Sequence, residues 1–203
     1  MKSPKNTPAD HLTTTEHPEH AENTAQQATG SATTARPRQP AARRTLGIDP
    51  GTARLGYAVV EEQRGKLTLI VGGVVETPKT LAMPQRLLQL FQELSQIVKT
   101  YQPSEMAVEE LFFAKNTTTV ISVGQARGVA LLVAAESGLS VHEYKPMHVK
   151  QAVHGYGLAT KEQVGEMVRV LLGLPGLLRP DDAADAAAIA ICHLHTSHLS
   201  GLR

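Results

Sequence analysis

Four acids stand on stretches that are otherwise apolar or built of small residues. Asp49 lies in LGIDPGTARLGY, Glu109 near the end of EMAVEEL, and Asp182 and Asp185 in PDDAADAAAIA. Each has a plain structural reading. Asp-Pro-Gly is a common turn start, Glu109 can be a surface acid, and Asp182 and Asp185 can be acids complementing a helix dipole. Together they point elsewhere. Three or four carboxylates from separate elements repel one another unless a divalent cation neutralises them. Ligation by oxygen alone suits Mg²⁺ or Mn²⁺. Two such ions in one site can activate a water and stabilise the leaving oxygen of a phosphodiester.

The surrounding pattern says how these acids are held. Leu46 and Ile48 alternate with Gly47 and Asp49, Pro50-Gly51 breaks the run, and Leu55, Tyr57 and Val59 resume it, which predicts a hairpin with Asp49 at its mouth and small residues on its exposed side. KLTLIVGGVVE (66–76) reads as a third strand with a bulge at Gly72-Gly73. A helix from Pro84 to Tyr101 follows, carrying Leu87, Leu88, Phe91, Leu94, Ile97 and Val98, and then a strand from Glu105 to Leu111. Side chains alternate along a strand, so only one of Glu109 and Glu110 faces the same side as Asp49. A second helix is expected after Asn116 or Thr117, a strand at 140–144, and a short helix at 148–154. Thr160-Lys161-Glu162-Gln163 then spells a capping box. The last helix starts near Pro180-Asp181, with Asp181 as N-cap, and runs to about His198. Asp182 and Asp185, three apart, share a stripe of that helix, and its alanines permit close approach to the sheet. Strands joined first by hairpins and later by crossovers make an α/β domain with a mixed sheet.

The 203 residues, 41% of them hydrophobic, suffice for one domain plus a tail, and the formal charge of +1 selects no partner class. Residues 1–44 contain no aromatic residue, Val or Ile, so they are expected to be disordered, with the folded body at 45–203. Six basic residues meet four acids in that tail, and its Arg-rich end ARPRQPAARR reads as a solvated linker. A single cysteine, Cys192, excludes an internal disulfide and fits a reducing compartment. No run approaches a membrane span and no secretory signal is visible, so the expected location is the cytoplasm, away from any membrane.

With these pieces in place, the chain resembles the RuvC family of Holliday-junction resolvases. The likeness is carried by LGIDPGTARLGYAVV, AVEELFFAKN, GQARGVALL, VKQAVHGYGLATKEQV and DDAADAAAIAICH, in the family's order from Leu46 to His198. The resemblance implies a ribonuclease-H-like mixed β-sheet flanked by helices. It implies catalytic, metal-binding carboxylates at Asp49, Glu109, Asp182 and Asp185, with Mg²⁺ or Mn²⁺, two per active site. It places Phe112 where an aromatic stacks into the junction, and Lys150 and Lys161 on basic positions near the scissile phosphate; Lys115, within the same motif as Phe112, joins them as a DNA-contact candidate. It further implies a homodimer that nicks opposed strands of four-way junction DNA symmetrically and works with the RuvA–RuvB branch-migration complex. The 44-residue tail departs from the family's compact pattern without touching a motif.

Other residues earn weaker readings. Phe112 and Phe113 follow the acidic strand, and one of them is expected to fill the core while the other stacks on a base. Lys115, Arg127, Lys145, Lys150, Lys161 and Arg169 are scattered along the chain, so any basic surface must be assembled in three dimensions. His193, His195 and His198 are expected near a helix C-terminus, where imidazolium is favoured, and Cys192 is expected to be buried and inert. Three rival readings fit less well: a nucleotide-binding protein of the actin and sugar-kinase group, which needs a second domain for which the body has no room; a degenerate junction binder, which would lack an acid; and a nuclease for RNA–DNA hybrids, which the pattern after Glu109 disfavours.

Overall fold

The computed structural model describes residues 42–110 and 117–200. The expectations for the 1–41 part of the tail, and for Phe112, Phe113, Lys115 and Asn116, lie outside the described residues. Five strands form one sheet: β1 (Arg43–Asp49), β2 (Arg54–Gln63), β3 (Lys66–Glu76), β4 (Glu105–Glu109) and β5 (Ser140–Tyr144). The helices are α1 (Met83–Tyr101), α2 (Thr117–Glu136), α3 (Pro146–His154), α4 (Lys161–Leu171) and α5 (Asp181–Ser200). The strand order is β3-β2-β1-β4-β5, with β1, β2 and β3 antiparallel and β1, β4 and β5 parallel. This is the mixed sheet flanked by helices that the sequence predicts.

Alternation along β1 divides the core in two. Leu46 and Ile48, both fully buried, face one layer with Leu90 and Leu94 of α1 and Ala126, Ala130 and Val133 of α2. Gly47 faces the other layer, where Ala58, Val60 and Ala107 meet the alanines of α5 and Val149, Val153, Val164 and Val168 of α3 and α4. The small-residue side of β1 is therefore not exposed, as the sequence suggested, but covered by α5. A Cβ at Gly47 would stand 2.0 Å from the Ala186 carbonyl oxygen, and one at Gly56 would stand 2.1 Å from that of Asp182. Glycine is thus required for α5 to lie this close to the sheet.

Several local expectations shift. The bulge falls at Ile70, skipped where Val59 pairs with Val71 and Val60 with Leu69, whereas Gly72 and Gly73 pair regularly with Ala58 and Tyr57. Gly73 is small because the Tyr57 ring lies over it, with the hydroxyl 2.7 Å from where a Cβ would stand. The first strand begins at Arg43, taking in two arginines assigned above to the solvated linker. Arg43 pairs with Glu105 at 2.9 Å, and Arg44 bonds Glu61 at 2.8 Å and the Tyr101 carbonyl at 3.0 Å. Pro146 opens α3, the capping box of α4 forms with Gln163 N donating to Thr160 Oγ1, and Asp181 is the first helical residue of α5, its carboxylate paired with Arg179 instead of capping.

Candidate active site

Parallel β1 and β4 end side by side, so Asp49 and Glu109 emerge at the same edge of the sheet. Glu109, not Glu110, shares the Asp49 side, as alternation requires. The first turns of α5 lie against the sheet and bring Asp185 into the same cleft. Asp49, Glu109, Asp185, Lys150 and Lys161 line one cleft of about 290 Å³, floored by Val149, Val164, Ala188 and Ile189.

The electrostatics of this cleft are strained. Burial pushes the Asp49 carboxyl up to about 7, reinforced by repulsion from Asp185, Glu109 and Asp182 and opposed by Lys161. Glu109 is raised as well, by burial and then by Asp185. Lys161 Nζ lies 2.7 Å from Asp185 Oδ2, and this hydrogen bond holds its ammonium above the usual lysine range. Charges at this density in an apolar pocket are held ready for a positive partner. The donor set, carboxylate oxygen throughout, fits a hard divalent cation.

Asp182 is adjacent but not in the cleft lining. Its Oδ2 accepts from Arg54 Nη2 at 2.8 Å and Nε at 3.1 Å, and the same guanidinium pairs with Glu76. Arg54 was not singled out in the sequence. The available signal was the hairpin register: Asp49 pairs with Gly56, so Arg54, two residues from Gly56, shares the face on which α5 lies.

Similarity to known proteins extends over most of the chain. The family model for crossover junction endodeoxyribonuclease RuvC matches residues 45–193. The chain belongs to the RuvC family. It is 55% identical to the crossover junction endodeoxyribonuclease RuvC of Roseiflexus sp. (strain RS-1), over 77% of this chain and 93% of that protein. It is 58% identical to that of Chloroflexus aurantiacus, over 76% and 94%. Among solved structures, T. thermophilus RuvC in complex with a Holliday junction substrate superposes with a TM-score of 0.75 at 38% identity, covering 78% of this chain and 96% of that one. The yeast mitochondrial Holliday junction resolvase Ydc2, at 15% identity and a TM-score of 0.58 over 79% and 82%, shares the fold. The fold is thus ribonuclease-H-like, and the protein is a nuclease.

The opposite end of the same layer corrects the reading of one histidine. The helix ends close to where expected, at Ser200, but His193 sits about two turns before that end and is buried. It is 1% exposed, and burial depresses its pKa, so the ring is neutral. Its Nε2 lies 3.0 Å from Glu105 Oε2 and its Nδ1 lies 2.8 Å from the Tyr144 hydroxyl. The ligand atoms of Glu105, His142 and His193 gather within 4.8 Å, a spacing that could suit a metal. Yet Arg43 already occupies Glu105 and both His193 nitrogens are bonded, so the group closes on itself without an ion. Cys192 is buried, its thiol pushed up to about 12 by that burial, and inert. Among the described residues, no helix is long and apolar enough to cross a membrane.

Proposed function

We propose that this chain resolves four-way (Holliday) DNA junctions by paired, symmetric nicks, using Asp49, Glu109, Asp182 and Asp185 as metal-holding catalytic carboxylates. The observation that carries the reading is the cleft itself, in which Asp49 is pushed to a carboxyl pKa of about 7 by burial and by three other acids, beside Lys150 and Lys161. Asp49, Glu109 and Asp185 of the cleft, joined by Asp182 once Arg54 releases it, would hold Mg²⁺ or Mn²⁺, two per site, and the bound ions would supply a reactive water and charge stabilisation at the leaving oxygen. Lys161, bridging to Asp185, and Lys150, on the facing helix, orient the scissile phosphate and offset its developing charge.

The complex of the T. thermophilus relative with a Holliday junction substrate supports the junction as substrate here. Symmetric nicking requires two sites, so the reading includes a homodimer, with α2 as the interface: Ile121 and Leu132 are 64% and 58% exposed, and Leu88 of neighbouring α1 is 55% exposed. It also includes Phe112 and Lys115 as junction contacts, cooperation with a RuvA–RuvB complex, cytoplasmic location, and the tail ahead of β1, which takes in Arg43 and Arg44, as a tether outside the nuclease domain.

Cleavage of synthetic mobile and immobile four-way junctions, with Mg²⁺, with Mn²⁺ and with chelator, tests the reading. Paired nicks on opposed strands, absent in chelator, are the expected result. Binding without cutting in either metal would indicate a junction binder, and cutting confined to RNA–DNA hybrid would indicate a hybrid nuclease.

A further inference from the structure

The segment from Lys145 to Lys161, KPMHVKQAVHGYGLATK, contains three lysines, two histidines and no carboxylate. It forms α3, the loop 155–160 and the first residue of α4, and two of its lysines already line the catalytic cleft. The loop is held firmly. Gly155, at φ +82°, caps α3 with its N–H on the Gln151 carbonyl, while Gln151 Nε2 donates back to the Gly155 carbonyl at 2.9 Å. Ala159 is fully buried, its N–H bonded to the Tyr156 carbonyl, and Thr160 then starts α4 with a capping box.

On this anchored loop two large apolar side chains face solvent: Tyr156 is 57% exposed and Leu158 72%. Met147, 56% exposed, adjoins them, since a Cβ at Gly157 would meet its Cγ at 2.9 Å. Leu158 is three residues from Lys161, hence within ~11 Å of backbone from the cleft. Exposed apolar side chains on a rigid loop, in a segment that carries three lysines and no acid, present a surface for a ligand that is anionic outside and apolar at its faces. A nucleic-acid strand has that chemistry.

We propose that the 155–160 loop is a second DNA-contact surface of the enzyme: Tyr156 and Leu158 pack on a sugar or base of nucleotides next to the scissile phosphate, and Lys145 holds a neighbouring phosphate. The proposal rests on the junction reading above and adds residues to it. Rigid presentation lets these contacts form without a further ordering penalty. The contact is apolar, so it adds affinity without releasing counterions, whereas Lys145 releases about one.

The test is binding of a fluorescent four-way junction by the full chain in chelator, at several salt concentrations, with melting temperature and elution volume measured alongside. Tyr156→Ala and Leu158→Ser are each expected to weaken binding about tenfold with an unchanged salt slope. Tyr156→Phe is expected to bind like the parent, and Lys145→Ala to lower the slope by about one. Parent-like affinity of the Tyr156→Ala, Leu158→Ser double variant would overturn the proposal. So would equal loss in Tyr156→Phe, a fall in melting temperature that accounts for the weaker binding, or a change in elution volume assigning the patch to a second copy of the chain. Failure of the parent itself to bind junctions would instead remove the functional reading.

Discussion

The two ends of α5 rest on the same face of the same sheet and are built on opposite principles. At the N-terminal end, Asp182 and Asp185 are paired with Arg54 and Lys161, yet they still raise Asp49, and Asp185 raises Glu109, in a pocket where burial already disfavours ionised carboxylates. Eight residues after Asp185, ~12 Å along the helix, His193 meets Glu105. There, each polar group has a complement: Arg43 donates to Glu105, Glu105 accepts from His193, and His193 accepts from Tyr144. Burial raises the Glu105 carboxyl, but the His193 and Arg43 hydrogen bonds prevail and leave it lowered. One end is closed and serves stability. The other is frustrated, and a frustrated buried cluster persists where function requires it.

Replacing one charge at each end should therefore act in opposite directions. Asp49→Asn is expected to lower junction cleavage by about a thousandfold, roughly 4 kcal/mol of transition-state stabilisation, while binding persists and metal-free stability rises. Glu105→Gln should leave cleavage near parental and lower stability by about 2 kcal/mol, because Arg43 and His193 lose a charged acceptor. Paired cleavage and urea-unfolding measurements decide it. An Asp49→Asn variant that still cuts removes Asp49 from the mechanism, and a Glu105→Gln variant as stable as the parent denies the closed network its role.

The pH dependence gives a second separation. Asp49 is raised from 3.8 to about 7 on folding, so its protonated form is the one favoured in the native state. Its contribution is complete below pH 3.8 and is lost as pH rises toward 7, on the order of 4 kcal/mol. His193 is depressed below its ordinary 6.5, so its contribution is complete above 6.5 and is lost as pH falls. In chelator, unfolding free energy should thus fall between pH 4 and 7 in the parent. In Asp49→Asn the decline should be much smaller, because raised Glu109 still contributes to it while Glu105 and His193 oppose it. Saturating Mg²⁺ should cancel the parental decline by favouring ionised Asp49.

The sequence disclosed one end of α5 far better than the other, for physical reasons. The elements followed from local signals: the period-2 run of β1, the three- and four-residue spacing of α1, and the Thr160–Gln163 capping box. Asp49, Glu109 and Asp185 were legible because each is an acid on an apolar element near its end, where a layered fold gathers ligands. The Glu105–His193 pair spans 88 residues and appears only once α5 is laid across the sheet. An alanine-rich helix carries little periodicity to show which face descends, so His193 read as a terminal residue. Arg54 was obscured likewise, since its partner Asp182 is 128 residues away. The need for glycine at positions 47 and 56 became visible only when the Ala186 and Asp182 carbonyls were found above them.

The smallest expected effect probes the closed end most finely. A carboxylate can only accept, so neutral His193 donates from Nε2 to Glu105 and must accept at Nδ1 from Tyr144. The Tyr144 hydroxyl lies 3.1 Å from Thr196 Oγ1, which itself donates to the Cys192 carbonyl at 2.8 Å. Tyr144→Phe removes the hydroxyl and leaves Nδ1 buried without its donor, an expected loss of about 1 kcal/mol. A structural contact alone would stop there. Because the lost bond specifies which nitrogen carries the proton, the variant should also change the ring's nitrogen chemical shifts toward a mixture of tautomers, while cleavage and the pH 4–7 decline due to Asp49 stay parental. Unchanged His193 shifts would mean that Glu105 alone fixes the ring, leaving Tyr144 a packing residue in an end that closes with one bond fewer.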